Sequence, residues 1–346
     1  MAGEASRSTP RGHELPWDVV GHERALEILR AGLMSDTLPQ SLLLTGPRQV
    51  GKRTVALALA RAVTCTGSDP PCGACRACRL AGGGGYPDVH LIELREGRQK
   101  IGIGDVQALQ VELARRPAEA KRRVAVIVDA DRFSPDAENC LLKTLEEPPP
   151  YGLIILTAQE AEALLPTTVS RCRRIRLRPV PASAIADHLV KRLGLDGERA
   201  RLLAGLAEGR PGWAIAAATE PGRLEAYETA LERLLRAAGG GKLDRLAVAR
   251  GLAEGWSGKS ELVREELRIW TRWWRDLLLV KLGLPEHAAH VDRRDELLRR
   301  AERYTEAELR EAIAVLVQAR ADLDQNVNSR LALDVALLRL PVTSDG

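Results

Sequence analysis

Two patterns of hydrophobic and polar residues divide this chain of 346 residues. As far as residue 180, short apolar runs alternate with stretches in which apolar residues recur every three or four positions. The runs predict strands at residues 41–45, 88–94, 123–129, 152–157 and 174–178. The amphipathic stretches predict helices at residues 20–34, 54–64, 104–115 and 134–147. Strands that alternate with helices are typical of an α/β fold, in which helices cover a parallel sheet. The last strand alternates apolar and charged residues and is therefore predicted to lie at an edge.

The remainder of the chain, residues 182–340, has helical periodicity almost throughout and no apolar run typical of a strand. One helix has an apolar face, predicted to be buried, that advances by steps of four and three residues: Val263, Leu267, Trp270, Trp274 and Leu277. We interpret its tryptophans as core or subunit-interface residues. A division near Pro221 gives three domains, an α/β domain at 1–180, a small helical domain at 181–220 and a larger helical domain at 221–346.

Composition and charge narrow the class of protein only modestly. The chain is 45% hydrophobic and 3% aromatic, so a globular core must be built from aliphatic residues. A formal net charge of +4 permits contact with nucleic acid without arguing for it. Residues 1–16 are expected to be disordered and lack the apolar core of a signal peptide. No apolar run has the length of a membrane span, so we expect a cytoplasmic protein with no membrane partner.

A glycine-containing segment after the first predicted strand has the spacing of a phosphate-binding loop. Gly46 and Gly51 are separated as in that motif, and Lys52 stands where an ammonium group reaches phosphate oxygens. The next position of the motif needs Ser or Thr to hold Mg²⁺, but this chain has Arg53 there. Thr54 lies one residue further along, about 100° around the helix, and is predicted to point elsewhere.

The third predicted strand ends in Asp129 and Ala130, where an ATPase of this type has its acidic residues. Such an enzyme needs one carboxylate for the metal and usually a second one to orient the attacking water. Asp129 could serve the metal, whereas Ala130 stands where the catalytic Glu is expected. Two interpretations stay open: a loop that binds ATP and Mg²⁺ weakly, or a vestigial loop retained for packing. Efficient hydrolysis is not expected from either.

Four cysteines with the spacing C-x6-C-x2-C-x2-C follow the phosphate loop: Cys65, Cys72, Cys75 and Cys78. Four thiolates complete a tetrahedral shell around Zn²⁺ and leave no open position for catalysis. The pattern predicts a structural zinc in a module at residues 65–78. A pair of disulfides is the alternative, and it fits a reducing cytoplasm less well.

Six short segments of the chain, taken together and in their order, carry a resemblance to a known family. They are VVGHE at 19–23, GPRQVGK at 46–52, the four cysteines, VDAD at 128–131, LLKTLEEPP at 141–149 and SRC at 170–172. In this order they resemble bacterial DNA polymerase III clamp-loader subunits of the AAA+ superfamily. Within that family, the lost hydroxyl at Arg53 and the lost carboxylate at Ala130 favour the delta-prime type over the ATP-hydrolysing tau/gamma type.

The resemblance implies an AAA+ phosphate-loop domain with a zinc module, a helical lid domain at 181–220 and a helical collar domain for oligomerisation at 221–346. It also implies that Arg171 projects into the ATP site of a neighbouring subunit as an arginine finger, where a guanidinium offsets charge on the transferred phosphate. Thr157 matches the position of the first sensor of the family, and Arg210 lies near the second. The candidate degenerate nucleotide site then comprises Gly46, Gly51, Lys52, Arg53, Thr54, Asp129 and Thr157.

The partners implied by the resemblance are the tau/gamma and delta subunits, the sliding clamp and primed DNA within the complex. Two other functions are alternatives. A tau/gamma-like ATPase motor is disfavoured by Arg53 and Ala130. A zinc-dependent nucleic-acid-binding module is disfavoured because no aromatic residue lies among the four cysteines to stack on bases.

Overall fold

The computed structural model describes residues 17–342 apart from 83, 96 and 326, and the chain divides into two units. One unit runs as far as His188 and also takes in Glu208–Gly212. The other comprises Leu189–Ala207 and the chain from Trp213 onwards. The predicted disorder of residues 1–16 lies outside the described residues, and the lid and collar boundaries stay predictions.

Five parallel strands form the sheet of the first unit: β1 (Ser41–Thr45), β2 (Val89–Ile92), β3 (Arg123–Ile127), β4 (Gly152–Ala158) and β5 (Arg173–Arg176). Their order across the sheet is β2-β3-β4-β1-β5. All five predicted strands are therefore confirmed, and β5 is at an edge as its alternating pattern predicts. Parallel strands bring their carboxyl ends to one side of the sheet, where the loops that follow β1, β3 and β4 meet.

Six helices accompany the sheet: α1 (Glu23–Met34), α2 (Lys52–Thr64), α3 (Arg76–Ala81), α4 (Ile103–Ala114), α5 (Pro135–Glu146) and α6 (Pro166–Ser170). Four of them confirm predicted helices, whereas the short α3 and α6 lack enough turns to show periodicity. Helix α5 begins where the sequence signals it. The Ser134 hydroxyl accepts a hydrogen bond from the Ala137 amide at 3.2 Å, and Pro135 takes the first helical position.

Alternate residues of each inner strand point to opposite faces of the sheet, so every inner strand contributes to two cores. Leu42 and Leu44 join the core under α1 and α2, whereas Leu43 joins the core under α4 and α5. All three leucines are fully buried, and each stabilises the fold by about 1.5–3 kcal/mol. The two cores hold the sheet as a rigid middle layer, which fixes the positions of the loops at its edge.

From Ala182 onwards the elements are helical: α7 (Ala182–Leu193), α8 (Gly197–Leu206), α9 (Pro211–Thr219), α10 (Arg223–Gly239), α11 (Lys242–Lys281), α12 (Arg294–Ala301), α13 (Glu306–Asp324) and α14 (Ser329–Arg339). Helix α11 contains a kink at Lys259. The apolar face predicted on α11 is buried at all five positions. Among the described residues, no helix has the length and apolarity needed to cross a membrane.

Candidate functional site

The phosphate loop joins β1 to α2 and depends on two glycines. Gly46 has φ +151°. A Cβ at this position would lie 2.4 Å from the carbonyl oxygen of Leu177, which is too close for any residue that has a side chain. Gly51, the residue before α2, has φ +115°, a value that L side chains rarely adopt. The local backbone therefore requires glycine at both positions, whether or not the loop holds a ligand.

The tip of the loop is fastened by two further segments of the first unit. The His22 Nε2 atom lies 2.9 Å from the Val50 carbonyl oxygen, and the Gly212 amide donates to the Gln49 carbonyl at 2.9 Å. A Cβ at Gly212 would lie 3.0 Å from the same carbonyl oxygen. Arg210, the candidate second-sensor residue, is buried nearby in the chain. The loop is consequently held from outside as well as by its own turn.

Lys52 is buried, with 6% of its surface exposed, and folds back over the loop. Its ammonium group donates to the carbonyl oxygens of Gly46 at 2.7 Å and Pro47 at 2.9 Å. Burial lowers the pKa of Lys52, and the nearby carboxylates of Asp129 and Asp131 oppose that shift. Two of the three ammonium donors are thus used on loop carbonyls, so a phosphate would have to compete with them.

Arg53 forms a two-pronged ion pair with Glu93, the residue after β2. The Arg53 Nε and Nη2 atoms donate to the two carboxylate oxygens of Glu93, and both side chains are exposed to solvent. Thr54 is exposed as well. The position that holds Mg²⁺ in the motif therefore has a guanidinium engaged with a carboxylate, and the neighbouring hydroxyl does not replace it. The pairing joins residues 40 positions apart and was not visible in the sequence.

The turn after β3 has Asp129 in the left-handed region, with φ +54°. Its amide donates to the buried Thr157 hydroxyl at 3.0 Å, so Thr157 supports this turn from the end of β4. Ala130 is fully buried in the core beneath the sheet. The Gln159 amide donates to Asp131 at 3.4 Å. The structure thus brings Asp129, Thr157 and Lys52 to one edge, and it places a methyl group in the core where a catalytic carboxylate would be needed.

Arg171 directly follows α6 and is 32% exposed. Its Nη2 atom donates to the Glu146 carboxylate at 2.5 Å, and its Nη1 atom donates to the Thr167 carbonyl oxygen at 2.9 Å. Glu146 is the last residue of α5, so the guanidinium links the ends of two helices. The arginine is therefore held at the protein surface in a defined orientation, and its partner Glu146 was not identified from the sequence.

The four cysteines predicted as metal ligands come together, with all four Sγ atoms within 4.8 Å of one another. The Sγ atoms of Cys65 and Cys75 are 3.9 Å apart, close to the edge of about 3.8 Å expected for a tetrahedron with metal–sulfur bonds of about 2.3 Å. All six cysteines of the chain are free thiols, which contradicts the disulfide alternative. The donor set and its size therefore fit a tetrahedral metal ion.

Backbone amides point at the sulfur atoms of this cluster. Cys65 accepts from the amides of Gly67 and Cys72, both at 3.3 Å, and Cys72 accepts from the amide of Cys75 at 3.3 Å. Such bonds favour thiolates, and amides of Cys75 and Ala74 lower the pKa of Cys72. Burial raises the pKa of Cys78 to about 12, so a bound cation would have to supply the charge that deprotonates it.

The parallel sheet and the phosphate loop between β1 and α2 define an α/β phosphate-loop protein, which carries a tetracysteine insertion and a helical second unit. A family model described as DNA polymerase III, delta subunit, matches residues 21–181, and one described as the C terminal part of that subunit matches residues 221–341. The delta-prime subunit of Bacillus subtilis is 26% identical over 92% of this chain and 95% of its own length. The chain belongs to the DNA polymerase III delta-prime subunit family.

Other relatives match a smaller part of the chain. The tau subunit of Bacillus subtilis is 32% identical over 50% of this chain, and the match spans 31% of the relative. The delta-prime subunit of Escherichia coli is 30% identical over 51% of this chain and 53% of its own length. Among solved structures, a DNA polymerase III gamma subunit-related protein of Thermotoga maritima covers 90% of this chain, with a TM-score of 0.47 and 22% identity.

Proposed function

We propose that this chain is a delta-prime-type subunit of a DNA polymerase III clamp loader, which loads the sliding clamp onto primed DNA during replication. The proposed partners are the tau/gamma and delta subunits, the sliding clamp and primed DNA, in the cytoplasm. Similarity to a delta-prime relative along nearly the whole chain supports this assignment. The cysteine cluster is proposed to hold a structural zinc ion, which orders the segment between α2 and α3.

The observation that carries the proposal is the ion pair between Arg53 and Glu93. It occupies the position at which an active phosphate loop needs a hydroxyl for Mg²⁺. Without that ligand, and with Ala130 in place of a catalytic Glu, the chain is proposed to have little or no ATPase activity of its own. The candidate nucleotide site at Lys52, Asp129 and Thr157 is then a degenerate one.

Arg171 is proposed to act at the ATP site of a neighbouring subunit. Support comes from its partial exposure and from its two contacts, which hold the guanidinium at the surface. A phosphate could take the place of the Glu146 carboxylate, because each anion offers two oxygen atoms that accept hydrogen bonds from the planar guanidinium fork. The neighbour would supply the nucleotide, the metal and the attacking water, and this chain would supply one positive charge.

A tau/gamma-like ATP-hydrolysing motor is the second candidate, since tau subunits are 32% identical over about half of this chain. One experiment separates the two functions. Phosphate release is measured for the pure chain, for tau/gamma with delta, and for the three together with clamp and primed DNA. We expect no turnover above background from the pure chain and a rise when it completes the loader. Metal-dependent turnover by the pure chain would favour the motor.

A further inference from the structure

The edge strand β5 and the residue pair that follows it carry a row of arginines. Arg174, Arg176 and Arg178, named here the edge arginines, are exposed, whereas Ile175 and Leu177 between them are buried in the core under α1 and α2. Strand register pairs Arg174 with Leu43, whose side chain faces the opposite core. The three arginines therefore share the face of the sheet edge that is turned away from Ile175 and Leu177.

The edge arginines differ from most other exposed arginines of the first unit in lacking acidic neighbours. Arg53, Arg76 and Arg171 each pair with a glutamate. Across the described part of the chain, none of the edge arginine side chains has a hydrogen bond or an ion pair to another residue, although the backbone of β5 pairs with β1. The backbone spaces successive edge arginines by about 6.6 Å, so their positive charges repel one another and the arrangement costs stability in the unbound protein.

Charge on an edge strand can also hinder association between sheets, but that role does not need charges of one sign at every second position. A row of cations instead complements a linear polyanion. From the first to the last edge arginine the strand advances about 13 Å, which corresponds to about four nucleotides along one strand of duplex DNA. Guanidinium groups are also suited to phosphate, because their forked donors match its oxygens.

Two features of this edge indicate which class of partner it binds. The segment 171–181 contains no aromatic residue, so it offers no stacking surface for the bases of single-stranded nucleic acid. Its exposed positions are arginines and prolines, without the large apolar anchors that dominate protein interfaces. We propose that the edge arginines bind the phosphate backbone of duplex DNA without reading its sequence. The proposal concerns this chain alone and does not rest on the arginine-finger role of Arg171.

Fluorescence anisotropy with a short labelled DNA duplex tests the proposal on the full chain. Replacing the three edge arginines by glutamine is expected to raise the Kd about tenfold or more at about 50 mM salt. The slope of log affinity against log salt concentration should fall by up to about 2.7, because each phosphate contact contributes about 0.9. The corresponding triple lysine variant should keep most of the affinity, and a single strand of equal length should bind less tightly than the duplex.

A control variant removes the same net charge from exposed basic residues elsewhere in the first unit: Arg24, Arg116 and Lys121. It should bind the duplex almost as well as the unmodified chain. Equal losses in the two triple variants would overturn the proposal, since they would reflect net charge alone. Unchanged DNA affinity of the edge variant would also overturn it. If that variant in addition failed to join the other loader subunits, the edge arginines would be identified as a protein-binding surface. Thermal melting of both variants confirms that each is folded.

Discussion

At the scale of single residues, Arg171 contributes to this chain and to its proposed neighbour in different ways. Its pair with Glu146 is partly exposed and is worth about 0–1 kcal/mol, so Arg171→Ala should leave folding and zinc content unchanged. In the reconstituted loader, the same variant should slow hydrolysis at the one site that borrows the residue, where an arginine finger contributes about 10³-fold or more. Steady-state phosphate release and clamp loading measure the effect.

Two further variants sharpen this prediction. Arg171→Lys should restore little activity, because an ammonium group cannot present a planar fork to phosphate oxygens. Arg116→Ala removes an exposed arginine of the same unit and should have no effect on the loader. Normal ATP turnover and clamp loading by the Arg171→Ala loader would show that this residue is not the finger.

A second residue-scale prediction concerns Arg245, which is 2% exposed in the second unit. Its guanidinium donates to carbonyl oxygens at the end of α10 and beyond α14, including those of Ala237 at 3.0 Å, Ala238 at 3.1 Å and Pro341 at 3.0 Å. Positive charge at helix C-termini satisfies carbonyls that have no partner within the helix. Arg245→Met should lower the free energy of unfolding by about 3 kcal/mol or more, because each buried acceptor left without a donor costs about 1–3 kcal/mol.

Urea unfolding followed by tryptophan fluorescence is suited to this test, because the second unit contains all but one of the six tryptophans. Arg250→Met, at an exposed position of the same helix, is the matched control and should change stability by no more than about 0.5 kcal/mol. A similar stability for both variants would mean that the carbonyls find other donors.

At the scale of elements, sequence reasoning succeeded where a repeating pattern spans several turns or a full strand. The five strands, and helices such as α5 with its Ser134 cap, follow from local patterns. Partners from distant segments could not be predicted in this way. The pairs Arg53–Glu93 and Arg171–Glu146 join residues 40 and 25 positions apart, and only the fold brings them together. The cysteine cluster could be predicted because its ligands are close in sequence and chemically distinctive.

The cysteine cluster gives a prediction at the same scale. Metal analysis should find about one zinc ion per chain, and Cys75→Ser should reduce that content and expose the segment before α3 to proteolysis. The sheet should stay folded, because its two cores are built mainly from apolar residues of strands and helices outside the module. Cys140→Ser changes a thiol outside the cluster and should retain the metal. Full zinc content in the Cys75→Ser protein would contradict the assignment.

At the scale of the whole molecule, the change from an α/β to a helical sequence pattern is visible, but the grouping of segments into units is not. Glu208–Gly212 belongs with the first unit, although helical sequence surrounds it. The reason is close packing: a Cβ on Gly209 would lie 2.5 Å from the Pro179 Cβ, and Gly212 bonds to the phosphate loop. The periodicity of a sequence indicates which face of a helix or strand is buried. It does not indicate that a later segment, such as 208–212, packs back against the first unit.

The final prediction is that this chain cannot be converted to an ATPase by restoring its metal ligand. Arg53→Thr would replace the ion pair with Glu93 by a hydroxyl for Mg²⁺, yet no carboxylate would orient the attacking water. Adding Ala130→Glu does not repair this, because Ala130 is fully buried and a carboxylate there would be placed in an apolar core at a cost of several kcal/mol. Phosphate release by either pure variant with Mg²⁺ and ATP should stay at the background of the unmodified chain, whereas thermal melting should show the double variant to be less stable. Metal-dependent turnover in Arg53→Thr alone would mean that Asp129 or Asp131 can supply the missing carboxylate, and the phosphate loop would then be a suppressed active site instead of a degenerate one.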